Sequence, residues 1–370
     1  MIRSNALYVH IPFCSHLCGY CDFPKLLYLK KWIGPYLDAL EQELTGYAID
    51  EPLKTIYVGG GTPSSLDLDE LERLLKMLQP YAKSNIEYTV ECNIENTTEA
   101  KLRLMKHYGV TRLSFGVQSM NADVLHFADR HHTKEEVVDV IDTAKRVGFH
   151  EINVDLIYGL PMQTMQTLEA DIDALIGLDV PHIATYSLTV HPHTMFYVKR
   201  VVEQTQDDSR AYYDLILKKL RAASYERYEV SNFAKPGHQS VHNQVYWRNL
   251  PYYGVGLGAS GYLSNLRYDN TRNINHYLMG RYINNQEIVD LTLSEEYYLM
   301  LNLRLANGFD LDEYHRRYQM DFRTRYRSSL QNLIQLGLLI HQEGRIYPTD
   351  DGLMKLDYVL IHLTPEEENL

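Results

Sequence analysis

Between about residues 6 and 190, short β-branched apolar runs alternate with amphipathic stretches of helical period. The runs predict strands at Leu7–Ile11, Thr55–Val58, Tyr88–Glu91, Arg112–Gly116, Ile152–Ile157 and His182–Leu188. The helices between them have readable ends. Asp67 followed by Glu70, and Thr133 followed by Glu136, predict capping boxes, and Gly109 and Gly148 stand where helix-terminating glycines belong. This alternation implies parallel strands joined by crossovers, in a barrel or a doubly wound sheet. Ligands in such folds gather at the C-terminal ends of the strands. The unusual residues fall there: Cys14 after the first strand, Gly59–Gly61 after the second, Glu91 after the third, Gln118 after the fourth and Gly159-Leu-Pro161 after the fifth.

Past residue 190 the pattern changes. Residues 191–290 are less regular and rich in Tyr, Asn and Gly. From Ser294 a helical segment is predicted, Tyr297–Leu305 then Leu311–Leu336, followed by a hairpin of Leu338–His341 and Ile346–Pro348 turning at Glu343-Gly344. The expected organisation is an α/β chain in three parts: 1–190 with six βα units, a 191–290 extension of α+β type, and a winged-helix-like 291–370.

Composition narrows the function more than the fold. A chain of 370 residues with 45% hydrophobic and 23% charged residues is that of an ordinary globular protein. The net charge of −12 opposes nucleic-acid binding. The winged-helix-like segment does too, with 8 Lys+Arg against 13 Asp+Glu from Ser294 to Leu370, a net of −5. Four cysteines are too few for a disulfide scaffold, which predicts a reducing, cytoplasmic setting. No run approaches a membrane span, and the N-terminus has no signal-peptide core.

Three of those cysteines crowd into Tyr8-Val-His-Ile-Pro-Phe-Cys14-Ser-His-Leu-Cys18-Gly-Tyr-Cys21-Asp-Phe23. A structural zinc site completed by His10 or His16 is the plainer reading, but such sites pair cysteines with a second distant pair, and none exists here. Three thiolates suit a [4Fe–4S] cluster with one iron left open, and S-adenosylmethionine can chelate that iron through its amino and carboxylate groups. Cys92 is read as a buried small hydrophobe.

With these motifs the chain resembles the radical SAM superfamily, which implies a partial (β/α)6 barrel. The resemblance assigns Cys14, Cys18 and Cys21 to the cluster and Tyr20 to the adenine. It assigns Gly60, Gly61 and Thr62, within Gly59-Gly-Gly-Thr-Pro-Ser64, to the methionyl amino group. Tyr8, Glu91, Gln118, Arg130 and Asp155 complete the S-adenosylmethionine site, with Arg130 on the cofactor carboxylate and Asp155 on a ribose or amino donor. Two positions depart from the family pattern: Ile94 where proline is usual, and Asp129 where glycine precedes the arginine.

Two features choose the branch. Oxygen-independent coproporphyrinogen III dehydrogenases carry a fourth cysteine where this chain has Phe23, and Cys21-Asp-Phe23 resembles the HemW-type haem chaperones. So does His242-Asn-Gln-Val-Tyr-Trp247, a motif that the resemblance ties to haem, with His242 as axial ligand and Tyr246 and Trp247 beside the macrocycle. A buried core histidine next to an aromatic pair is the plainer alternative. The resemblance implies haem as cargo and haem-acceptor proteins such as respiratory cytochromes as partners, any membrane association being through the acceptor. Radical decarboxylation of coproporphyrinogen III, or another reaction on a tetrapyrrole, is the enzymatic alternative.

Overall fold

The computed structural model describes residues 4–49 and 52–366. Six parallel strands form where they are expected, with bounds within two residues of the predicted ones. They are β1 (Ala6–Ile11), β2 (Thr55–Gly60), β3 (Glu87–Asn93), β4 (Arg112–Gln118), β5 (Glu151–Tyr158) and β6 (His182–Ser187), and they lie side by side in chain order. Helices α1 (Lys30–Gly46), α2 (Leu68–Leu78), α3 (Glu99–His107), α4 (Lys134–Val147) and α5 (Met165–Gly177) lie in the crossovers. Both predicted capping boxes open their helices, α2 and α4, and Gly109 and Gly148 take left-handed φ of 86° and 101° at helix ends.

Strand register sorts the side chains into two faces. One face is apolar and buried, with Leu7, Val9, Ile11, Ile56, Val58, Val90, Cys92, Leu113, Phe115 and Val154. The other carries Tyr8, His10, Tyr57, Glu91, Asn93, Ser114, Asn153 and Asp155. An α/β barrel packs its apolar face under the helices, so this polar set lines the lumen; Tyr8, Tyr57, Glu91 and Asp155 are only half-buried there.

The 191–290 region is more regular than its composition suggests. Helix α6 (Gln206–Ala222) runs 17 residues, capped by Thr205 and burying Tyr212, Tyr213, Ile216, Leu217 and Leu220. Tyr253–Val255 forms a further parallel strand on the outer edge of β1, and Ser260–Leu263 pairs antiparallel with Leu266–Asn270.

A second compact unit comprises Arg227–Asn232, Asn243–Leu250 and Ile288–Leu370. In it the expected helical segment over 311–336 is made of three helices, Leu311–Tyr318, Phe322–Arg325 and Arg327–Gln335, the first ending where Gln319 turns left-handed at φ 57°. The hairpin Leu339–Gln342/Arg345–Pro348 turns at Glu343 and Gly344, both at positive φ, as a type I′ turn requires. An aromatic core of Tyr298, Phe309, Tyr314, Tyr318, Phe322 and Tyr326 holds the unit together.

Candidate functional site

Strand β1 delivers the cysteine loop to the rim of the barrel. His10 fixes where that loop ends. Burial lowers its imidazole to about 4, so it is neutral at pH 7. Its Nε2 lies 2.7 Å from the Pro24 carbonyl and must donate to it, leaving Nδ1 to accept from the Tyr8 hydroxyl at 2.9 Å. Lys25 donates to the Cys21 carbonyl. Cys14 is buried; burial pushes its thiol up to about 11, against the pull of a hydrogen bond from Thr62 at 3.6 Å. Cys21 is likewise raised by burial, with Lys25 opposing. Such thiols ionise when a metal takes the proton's place. Among the described residues no three side chains are gathered round a single ion; a cluster instead asks each cysteine to reach a separate iron.

The glycines at the end of β2 keep this rim open. A Cβ on Gly59 would stand 2.6 Å from the Glu91 carboxyl, on Gly60 2.4 Å from the His10 ring, and on Gly61 2.7 Å from the Pro12 backbone. Gly60 is also at φ 110°, a conformation that side chains disfavour. Glu91 accepts from the Tyr57 hydroxyl at 2.7 Å and from the Gly60 N–H at 2.9 Å; burial raises its pKa and these bonds pull it back.

Arg130 is 5% exposed. Its guanidinium donates to the Gly116 carbonyl at 2.6 Å, Asn93 at 3.2 Å and Glu95 at 3.5 Å, and Nη1 stands 3.9 Å from the Cys18 sulfur. Burial raises the Glu95 carboxyl, but the hydrogen bond from His132 and the Arg130 charge more than reverse this, to about 2. Glu95, not Asp129, is therefore the counter-ion; Asp129 faces Lys199 at 3.8 Å. The usual glycine at that position has a backbone reason, because Asp129 stands at φ 56°. Ile94 is buried in a 3-10 turn that forms without the proline.

Gln118 leaves β4 through a bulge at φ 70°, and its buried Oε1 has no hydrogen-bond partner; neither do Arg130 Nε and His132 Nε2. Asp155 is oriented from below: His182 donates to Asn153 Oδ1 at 2.6 Å, and Asn153 donates to Asp155 at 2.7 Å. Burial, with the Glu91 charge adding to it, raises Asp155 to about 7. Tyr20 packs edge-on against Phe196, with ring centroids 6.2 Å apart. Three thiols on one loop, a glycine rim that side chains would fill and unpartnered buried polar atoms fit a cluster carrying an amino-acid-bearing nucleotide.

The structure thus gathers the cysteine loop, Thr62, Glu91, Gln118, Arg130 and Asp155 at one end of the strands. His242 is elsewhere. It is 0% exposed, and its Nδ1 is 2.8 Å from the hydroxyl of Thr55, the first residue of β2. Thr55 stands at the N-terminal end of β2, ~17 Å along the strand from Gly60, so the ring is held at the opposite end of that strand from the glycine rim. Tyr246 and Trp247 are half-buried and belong to the other compact unit. Tyr57, Asn93, Glu95, His132, Asn153 and His182 were not among the residues singled out in the sequence. The one available signal was parity, since Tyr57, Asn93 and Asn153 occupy lumen-facing strand positions.

The model of the Radical SAM superfamily matches residues 8–175, and that of the HemN C-terminal domain matches 296–354. A protein of Lactococcus lactis subsp. lactis (strain IL1403) named Heme chaperone HemW is 37% identical over 359 residues, covering 95% of this chain and 94% of its own. Proteins of the same name from Bacillus subtilis (strain 168) and Escherichia coli (strain K12) are 36% and 33% identical, covering 94% and 82% of this chain and 96% and 83% of their own. The solved structure of the radical SAM enzyme coproporphyrinogen III oxidase (HemN) from Escherichia coli superposes with a TM-score of 0.85 at 22% identity, covering 98% of this chain and 90% of that one. At that identity it establishes the shared fold.

Proposed function

We propose a haem-chaperone function from one premise: the chain belongs to the HemW family of radical SAM proteins. It binds haem and passes it to haem-dependent acceptor proteins, respiratory cytochromes among them, in the cytoplasm or at its membrane face. The observation that carries this reading is the near full-length similarity to relatives named heme chaperones. Phe23 supports it. It stands where the dehydrogenases place a cysteine, and it is 61% exposed on the cysteine loop. No described helix is long and apolar enough to cross a membrane.

In this reading Cys14, Cys18 and Cys21 hold a [4Fe–4S] cluster, which with S-adenosylmethionine on its open iron supplies one-electron chemistry at the sulfonium. Arg130 takes the cofactor carboxylate, Gly60–Thr62 and Glu91 the amino group, Asp155 a ribose hydroxyl, Tyr20 the adenine; Tyr8 and Gln118 border the site. Tyr246 and Trp247 contact haem. His242 would ligate iron only after leaving Thr55, and its burial, which lowers the imidazole to about 3, favours the neutral form that such ligation needs.

The test is an anaerobic haem titration of cluster-loaded protein followed in the Soret band. Saturable binding of about one haem per chain is expected. Absence of saturable binding, together with anaerobic conversion of coproporphyrinogen III and release of 5′-deoxyadenosine, would replace the chaperone reading with the enzymatic one.

Cofactor binding should also depend on pH. Asp155 accepts a hydrogen bond best as a carboxylate, and its pKa in the ligand-free protein is about 7. Affinity for S-adenosylmethionine is therefore expected to fall as pH drops below about 7. In Asp155→Asn the fall near pH 7 should disappear, because the carboxyl that titrates there is gone. Equilibrium dialysis between pH 6 and 8 reads both curves, and identical curves would remove Asp155 from the site.

A further inference from the structure

His242 closes the lower end of the lumen. Glu87, the first residue of β3, accepts from the backbone N–H groups of Val241 and His242 at 2.8 and 2.7 Å and from the Ser240 hydroxyl at 3.2 Å. This holds the start of the helix Val241–Trp247 against the strand ends, while Thr55 holds the ring. The imidazole then lies against Tyr57, with ring centroids 5.2 Å apart and planes 30° apart. Tyr57 in turn stacks on Tyr8 at 6.1 Å.

Both tyrosine rings of this column end in a hydrogen bond at the upper layer. The Tyr57 hydroxyl donates to Glu91 Oε1 at 2.7 Å, and the Tyr8 hydroxyl donates to His10, whose other nitrogen holds the Pro24 carbonyl at the end of the cysteine loop. Glu91 is also tethered by the Gly60 N–H, which donates to Oε2 at 2.9 Å. The Tyr57 ring is held between the His242 and Tyr8 rings. Removing the imidazole opens a space beneath Tyr57, and a phenol that drops into it takes its hydroxyl away from Glu91.

We propose that His242 is a positioning residue for the cofactor site: its ring props Tyr57, which holds the Glu91 carboxylate where the S-adenosylmethionine amino group meets it. This rests on the reading of Glu91 as a cofactor contact. The haem-linked motif and the cofactor rim are then two ends of one packed column, and loss of His242 disturbs the cofactor site with no haem present.

The experiment compares His242→Ala, His242→Phe, Tyr57→Phe and Glu91→Ala as full-length, cluster-loaded proteins without haem. It reads S-adenosylmethionine affinity and the change that the cofactor produces in the EPR spectrum of the reduced cluster. His242→Ala should weaken the cofactor by about tenfold and diminish the EPR change. His242→Phe, which refills the space, should restore most of both. Tyr57→Phe keeps the ring and loses the hydroxyl, so it should behave as His242→Ala does; it removes one oxygen atom and serves as the decisive variant if His242→Ala does not fold. Wild-type affinity and EPR response in both His242→Ala and Tyr57→Phe overturn the column. Wild-type behaviour of Glu91→Ala instead overturns the assignment of Glu91, and the proposal with it.

Discussion

Cys18→Ser protein, supplied anaerobically with iron and sulfide, is expected to retain no [4Fe–4S] cluster and to lose S-adenosylmethionine binding with it. The loop offers three thiols, so one substitution leaves two, and a serine hydroxyl is a poor ligand for iron in a sulfide cluster. The remaining cysteine cannot stand in. Cys92 is 2% exposed on the helix-covered face of β3, its thiol is pushed up to about 12 by burial, and it lies 3.7 Å from the Val90 carbonyl. Cys92→Ala should accordingly keep its iron. The barrel should also survive in Cys18→Ser, since Cys18 is only half-buried on a loop above the strands. Iron and sulfide analysis with the visible absorbance reads the cluster, and a thermal melt reads the fold. A full cluster in Cys18→Ser would move the ligand set off this loop.

How far the chain could be read from its sequence follows from how local each signal is. The six strands were legible because each is a short β-branched apolar run between helical stretches, and the capping boxes and the type I′ turn because each lies within four residues. The strand Tyr253–Val255 was not: three residues inside a glycine string carry no period, and its partner β1 lies more than 240 positions earlier. Helix α6 was overlooked although Thr205 and Asp208 mark its start and its apolar residues have helical spacing. At the candidate site, motif spacing singled out residues at the C-terminal ends of the strands and missed the ones that hold them. Glu95, His132 and Asn153 act through contacts between strands, which no single segment encodes. His242 is the sharpest case. Its motif suggested an axial ligand for haem, with a buried core histidine as the plainer alternative, and the register of Thr55 and Glu87 buries it beneath the lumen.

Arg130→Gln is expected to lower both stability and cofactor affinity, by separable routes. In the wild type the guanidinium and His132 together keep the partly buried Glu95 ionised. Without Arg130 that carboxylate keeps His132 and a backbone N–H, and breaking a buried pair from one side costs about 3 kcal/mol. The sign with pH follows. Glu95 has a folded pKa of about 2, below its unfolded value, so its contribution is present above about pH 4 and is lost as pH falls toward 2. The stability gap between wild type and Arg130→Gln should close over that interval. Adding Glu95→Gln removes the stranded charge and should recover most of the lost Tm at neutral pH. It should not recover S-adenosylmethionine binding, because the planar fork that meets the cofactor carboxylate is still missing. Arg130→Lys, which keeps the charge and loses the fork, should likewise bind the cofactor at least about tenfold more weakly. Recovery of binding in the Arg130→Gln/Glu95→Gln double variant would show that Arg130 serves only to neutralise Glu95 and makes no contact with the cofactor.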